Sequence, residues 1–163
     1  MTKLIKTRRA ARTVIFDESS NKIAILEVKG GSYHKIPGGG IEGEESPEEA
    51  ALREAIEEGA CNVEILAKLG EIKFESPEFG GQINHSVCFL ARKLNDHKTT
   101  DFTEEEKANE FKLLWLSLDE AIVLFKNVKS KIPIELNMNN RDLKFILLAK
   151  KYLSNNQKLF SPN

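Results

Sequence analysis

The feature that most limits what this chain can fold into is a glycine run followed closely by a strong helix start. Gly38-Gly39-Gly40 leads, six residues on, to Ser46-Pro47-Glu48-Glu49. Glycine suits backbone that bends unusually or approaches something closely, so the run reads as a loop. Ser46 is a natural N-cap and Pro47 suits the first helical position. Glu49, three residues after Ser46, completes a capping box. A helix is therefore predicted from Pro47 to about Glu58, with Gly59 as its stop.

This helix carries an unusual charge pattern. Glu54, Glu57 and Glu58 are related by i, i+3 and i+4, so their carboxylates leave one face. Leu52 and Ile56 lie opposite and are expected to dock into the core, and the small Ala50 and Ala51 leave room for something to approach. Like charges on one turn repel by a few tenths of a kcal/mol per pair, and the helix dipole disfavours acids at its C-terminal end. A bound hard cation reverses the sign of both effects, since carboxylate oxygens are what Mg²⁺ or Mn²⁺ takes. The bland alternative is a solvated acidic face. A glycine loop just ahead of the helix, with free backbone amides and carbonyls, favours a place where a phosphate and a metal meet.

Around this segment the chain alternates strands and helices. Residues 13–16 and 22–28 read as a hairpin over the turn cluster 17–21, and 33–37 as a short extended piece. Residues 63–75 read as one or two strands with a break near Gly70, 77–82 as a loop, 84–91 as a strand, and 95–109 as a polar, acidic loop. Residues 111–116 read as a strand, Ser117 caps a helix over 118–125, and Leu143, Ile146, Leu147 and Leu153 mark a last helix over 142–153. The order implies an α/β (α+β) sandwich, with helices covering a mixed sheet.

Bulk properties bound the function. A chain of 163 residues fits one domain, expected to span 1–163, and 40% hydrophobic with 30% charged residues excludes a disordered chain. The formal net charge of −1 gives no global case for a nucleic-acid polymer or a membrane as partner. Charge is uneven, however. Lys3, Lys6, Arg8, Arg9 and Arg12 crowd the start, whereas 42–58 holds eight glutamates against Arg53 alone. An anionic substrate beside a divalent cation and two compensating solvated surfaces both account for it. Cys61 and Cys88 sit among apolar residues without a C-x-x-C partner, so they read as buried free thiols. The absence of a signal-like or membrane-length apolar run points to a cytoplasmic protein.

The stretch 39–61 resembles the Nudix box: glycine, five residues, glutamate, seven residues, Arg-Glu, an apolar residue, any residue, Glu-Glu, any residue, glycine, an apolar residue. Gly39, Glu45, Arg53, Glu54, Ala55, Glu57, Glu58 and Cys61 fall on their positions. The final glycine is replaced by Ala60, with a glycine one place earlier at Gly59; that position ends the helix and is not a ligand. The segments 37–40 and 115–121 look like flanking features of the same family. The resemblance, of MutT-like type, implies a Nudix α/β/α sandwich and an Mg²⁺-dependent hydrolase, with Mn²⁺ as a substitute. Glu57, Glu58, Glu54 and the Gly38 carbonyl would hold the metal. Glu54 would also activate the attacking water. Arg53 would orient the glutamates, the alternative being a surface pair with Glu49 or Glu57. Glu45 would stand beside the ligands or reach the ion through water. A further acid would come from Glu104, Glu105, Glu106 or Glu110, the last being the candidate carried forward.

The resemblance also implies a small nucleoside diphosphate derivative as partner, a (d)NTP being one candidate. ADP-ribose, nucleotide sugars, dinucleoside polyphosphates and a non-catalytic nucleotide sensor are the alternatives. Arg9, Arg12, Tyr33 and Lys35 are candidate substrate contacts, with a surface role equally open. Phe74, Phe79, His85 and Phe89 can stack on a base or fill the core, and Trp115 reads as a core anchor. Nothing in the sequence opposes a homodimer.

Overall fold

In the computed structural model, which describes residues 4–97 and 99–157, the hairpin forms between β1 (Thr7–Asp17) and β2 (Lys22–Val28). These strands pair only near their turn, at Phe16↔Ile23 and Asp17↔Lys22. Beyond it they part, and the segment after β2 enters the gap. Its first piece, β3 (Tyr33–Lys35), pairs with β2, and its second, β4 (Gly38–Gly40), pairs antiparallel with Ala10, Ala11 and Arg12 of β1. The glycine run is thus a strand and not the predicted loop. Pairing this close requires glycine: a Cβ on Gly38 would lie 2.3 Å from the Ala11 carbonyl oxygen.

Helix α1 (Pro47–Glu57) begins as predicted, with the reciprocal Ser46–Glu49 capping box. Next comes β5 (Cys61–Ser76), one strand in which register shifts at Ile65/Ala67 and Lys68/Gly70 absorb the predicted break. It pairs antiparallel with β6 (Gln82–Asp96), which runs parallel to β1 from Thr7↔Ile83 to Phe16↔Arg92. The stretch predicted as an acidic loop contains a short helix, α2 (Glu104–Ala108), nucleated by a Thr103–Glu106 capping box. Strand β7 (Lys112–Leu116) pairs with β2, and α3 (Leu118–Lys126) follows on its Ser117 cap. The last helix, α4 (Pro133–Asn155), starts well ahead of the predicted Asp142.

The result is a mixed sheet between helical layers, the α/β/α sandwich expected. On one face Val14, Phe16, Ile23, Ile25, Cys88 and Leu90 pack against Phe125 of α3 and Phe145 and Ile146 of α4. Each such large side chain contributes about 1.5–3 kcal/mol on burial. On the other face Ala11, Ile15, Val87 and Phe89 meet the alanines of α1. Cys61 and Cys88 are buried free thiols, and half-buried Trp115 packs beside Ala24 and Cys61 with Lys93 Nζ 4.9 Å from its ring centre. No described helix is long and apolar enough to cross a membrane.

The orientation of α1 corrects one expectation. Leu52 is 39% exposed and Ile56 only partly buried, while Ala50, Ala51 and Ala55 are fully buried. The buried stripe is Ala51, Glu54, Ala55 and Glu58, at i, i+3, i+4 and i+7, so two of the glutamates face inward. Ala50 and Ala51 therefore seat the helix and do not leave space. Alanine at these contacts brings α1 close enough for its carboxylates to reach β4.

The helix ends in an equally specific way. Ala60 takes the left-handed backbone, at φ +50°, that the box glycine would take. Gly59 is needed for packing instead, since a Cβ there would lie 2.7 Å from the Ala55 carbonyl oxygen and 2.8 Å from Ile15 Cδ1. Ala60→Gly is therefore expected to raise unfolding free energy by about 0.5–1 kcal/mol in urea titrations, and Gly59→Ala to lower it by about 1–3 kcal/mol. The reverse order would show that the residues do not hold these conformations.

Candidate functional site

The site grows around the backbone of Ile36, Pro37 and Gly38, which crosses the gap between β1 and β2. Its main-chain polar groups take partners from several elements. The Ile36 amide donates to Asp142 Oδ2 at 3.0 Å, and the Thr13 amide donates to the Pro37 carbonyl at 2.9 Å. The Gly38 amide donates to Glu58 Oε2 at 2.9 Å, and Arg12 Nη1 donates to the Gly38 carbonyl at 2.8 Å. Next door, the Glu54 carboxylate lies against Gly39 so closely that a Cβ would sit 2.2 Å from Oε1.

Arg53 is the hub of the outer half. Its Nε and Nη2 grip Glu45 in a fork at 3.2 and 2.7 Å, and Nη2 also donates to the Gly40 carbonyl at 3.0 Å. Nη1 reaches Glu54 at 2.9 Å and Glu57 at 3.2 Å. Glu57 is thus one of several partners, and Glu49 is occupied by the helix cap. Arg53 ties the glycine strand to the helix and holds two of the three cluster carboxylates.

The carboxylates differ in environment. Burial raises the Glu54 pKa against the pull of Arg53. Glu58 is 1% exposed, and burial pushes its carboxyl up to about 8 despite the nearby Lys35 ammonium. Lys35 is pushed down by its own burial, and its Nζ stands 4.8 Å from the centre of the Phe111 ring. The hydrogen bond from Arg53 holds Glu45 below its ordinary value.

The remaining sequence candidates separate clearly. Arg9 is exposed on β1, whereas Arg12, Tyr33 and Lys35 are buried and form part of the wall behind Gly38 and Glu58. Burial drives Arg12 down to about 10, with Arg141 adding to the effect. Phe89 is core, Phe79 is exposed, and His85 bonds Glu71 at 2.7 Å. Among the acids on the late loop, Glu104 pairs with Lys107 and Glu106 caps α2. Glu110 is exposed and directly precedes Phe111, whose ring meets Lys35. Sequence reading missed Asp101, whose amide donates to the Glu57 carbonyl at 2.6 Å and brings this loop to the end of α1. It also missed Arg141 and Asp142, because a buried ion pair leaves no apolar pattern.

A family model described as NUDIX domain matches residues 6–137. The chain belongs to the NUDIX family. A curated relative, Nudix hydrolase 4 of Arabidopsis thaliana, is 30% identical over 118 residues, covering 72% of this chain and 54% of that protein. The chain thus spans about half the length of the curated relative it matches. Among solved structures, a NUDIX hydrolase from Nitrosomonas europaea superposes with a TM-score of 0.62 at 17% identity, over 85% of this chain and 89% of the other. A MutT protein from Methanosarcina mazei Go1 gives 0.60 at 16% identity, over 93% and 99%. An ADP compounds hydrolase gives 0.64 at 17%, over 91% and 74%. At these identities the structures speak to the NUDIX fold alone.

NUDIX hydrolases generally use divalent metal ions, and the residues of this NUDIX domain fit such an ion by donor type. Glu54, Glu57 and Glu58 are hard oxygen donors on one helical turn, and burial disfavours the ionised form of two of them, a cost that a cation relieves. Among the described residues no three carboxylate, imidazole or thiolate groups stand gathered at one point. Glu54 and Glu57 turn to Arg53, and Glu58 to the Gly38 amide.

The raised Glu58 pKa has a definite sign in the metal-free chain. Between its ordinary 4.5 and about 8 the native state binds a proton that the unfolded chain has lost. Stability therefore falls as pH rises through that window. Thermal melts in chelator are expected to show this decline for wild type and a flatter profile for Glu58→Gln. Superimposable slopes would contradict it.

Proposed function

We propose that this NUDIX domain is a hydrolase of phosphoric anhydrides, dependent on Mg²⁺ with Mn²⁺ as substitute. Its substrate class is a nucleoside diphosphate derivative. The observation that carries this reading is the set Glu54, Glu57 and Glu58 on the last turns of α1, two of them drawn inward against glycine backbone. A helix built for stability alone has no use for buried like charges there.

In this reading Glu57, Glu58, Glu54 and the Gly38 carbonyl hold the ion. When bound, the ion neutralises the diphosphate and acidifies a water. Glu54 takes the proton from the attacking water, and its burial moves its pKa in the direction a general base near neutral pH requires. Arg53, fixed by its fork to Glu45 and its bond to the Gly40 carbonyl, keeps Glu54 and Glu57 in register with the glycine strand. Arg9, exposed on β1, would meet a phosphate from solvent, and exposed Arg8 has Nη2 3.8 Å from where a Gly40 Cβ would be. Glu110 and Asp101 are the acids available from the late loop.

The test is a turnover screen with Mg²⁺, its nucleotide products separated by chromatography, over nucleoside triphosphates, ADP-ribose, nucleotide sugars and dinucleoside polyphosphates. Glu57→Gln is expected to abolish turnover with an unchanged melt, since among the described residues its side chain bonds Arg53 alone. Gly39→Ala should lower kcat about a hundredfold by displacing Glu54. Full activity in Glu57→Gln sinks the assignment. Tight nucleotide binding without turnover on any substrate would replace the hydrolase with a sensor.

A further inference from the structure

Helix α4 lies on the opposite face of the sheet from α1, yet it reaches the backbone that α1 uses. Its docking stripe is Glu135, Asn139, Asp142, Ile146 and Ala149, all buried and spaced as one helical face. The first three residues are polar and each has a specific task. Glu135 accepts from Lys29 Nζ at 2.9 Å and from Ser130 Oγ at 3.0 Å. Asn139 accepts from the His34 amide at 3.4 Å and donates to the Phe125 carbonyl at 2.9 Å. Asp142, fully buried, accepts from the Ile36 amide, while Arg141 Nε donates to its other oxygen at 2.6 Å.

The Arg141–Asp142 pair is a poor way to make a helix stick. Breaking even with an apolar contact requires a buried ion pair to satisfy all its donors. Here Arg141 Nη2 and the neighbouring Arg12 Nε are buried with no hydrogen-bond partner among the described residues. What the pair does achieve is mechanical. Only Pro37 separates Ile36 from Gly38, its ring fixes one backbone angle, and its carbonyl is held by Thr13. A shift at Ile36 therefore passes directly to Gly38, whose amide and carbonyl face Glu58 and Arg12. Arg141 and Asp142 also lie beyond 6–137, the part of the chain that the family model matches.

We propose that Asp142, oriented by Arg141, is a positioning residue that sets Gly38 and Glu58 for the divalent ion from across the sheet. This rests on the ion-site reading above. The test is Mn²⁺ binding to the full chain without substrate, followed by the electron paramagnetic resonance signal of the free ion. Ile146→Val, which thins the same α4 interface without touching the pair, should bind as wild type does. Asp142→Asn keeps the side-chain size but loses an acceptor, and should weaken binding about tenfold while the melt stays cooperative. Wild-type affinity in Asp142→Asn, or an equal loss in Ile146→Val, overturns the proposal. If Asp142→Asn does not melt cooperatively, Arg141→Lys carries the same comparison: weaker binding supports positioning, and unchanged affinity overturns it. A wild type that binds no Mn²⁺, indistinguishable from Glu57→Gln, instead defeats the ion-site reading and the proposal with it.

Discussion

The structure depends on a problem of backbone solvation. Strands β1 and β2 part just beyond their turn, and a polar main chain runs through the gap between two hydrophobic layers. Buried amides and carbonyls must find partners, because each one left alone costs more than a typical hydrogen bond returns. At Ile36, Pro37 and Gly38 the partners come from β1, α1 and α4 together. Those bonds decide where the flanking elements stand. Helix α1 must approach closely enough for Glu58 to meet the Gly38 amide, which is why alanines line its contact face. Helix α4 must present a carboxylate at one height, which is why its stripe turns polar there.

This solution fills the interior with charge. Arg12, Lys35 and Arg141 stand among Glu58, Asp142 and the less deeply buried Glu54. Formal charges balance, three against three, but desolvation opposes each charged form, so Glu58 is pushed up and Arg12 and Lys35 are pushed down. Asp142 is different in kind, since it holds an amide on one oxygen and a guanidinium on the other. Glu58 accepts from one amide and faces the Lys35 ammonium, and in the proposed site it is the buried carboxyl that would take a positive ligand. In that reading the asymmetry between two buried acids at one strand would separate a positioning role from a binding role.

Much of the site could be read from the sequence because its signals are local. The Ser46–Glu49 box, the i, i+3, i+4 glutamates and the glycine run all lie within one short stretch, and each has a conformational meaning without reference to the rest of the fold. What escaped was non-local. Gly38–Gly40 is a strand only because Ala10–Arg12 lie beside it. Leu52 looks like a core residue until the sheet requires Glu54 and Glu58 on the inside. The first half of α4 was invisible because a search for apolar periodicity cannot detect Glu135, Asn139 and Asp142 as a docking face. Arg12 and Lys35 read as substrate contacts or surface cations for the same reason: their burial is explained by partners far away in sequence. At Ala60 the sequence departure marked a real strained position, and the compensating Gly59 answers a packing demand from Ile15.

If the site holds a cation as proposed, Arg53 accounts for how the same residues could serve it with and without the ion. Its donors are divided between two kinds of acceptor. Glu45 and the Gly40 carbonyl lie toward the glycine strand, and Glu54 and Glu57 lie toward the cluster. A cation that draws Glu54 and Glu57 away removes only the Nη1 bonds. The fork to Glu45 and the bond to Gly40 remain, so the guanidinium is not left unpaired and stays in place. A lysine could neutralise the same carboxylates, but its single ammonium would follow them and leave Glu45 and Gly40 without a donor. The planar fork would therefore let the carboxylates change partners while the strand and helix keep their spacing, and that spacing sets how Gly39 stands against Glu54 and Gly38 against Glu58.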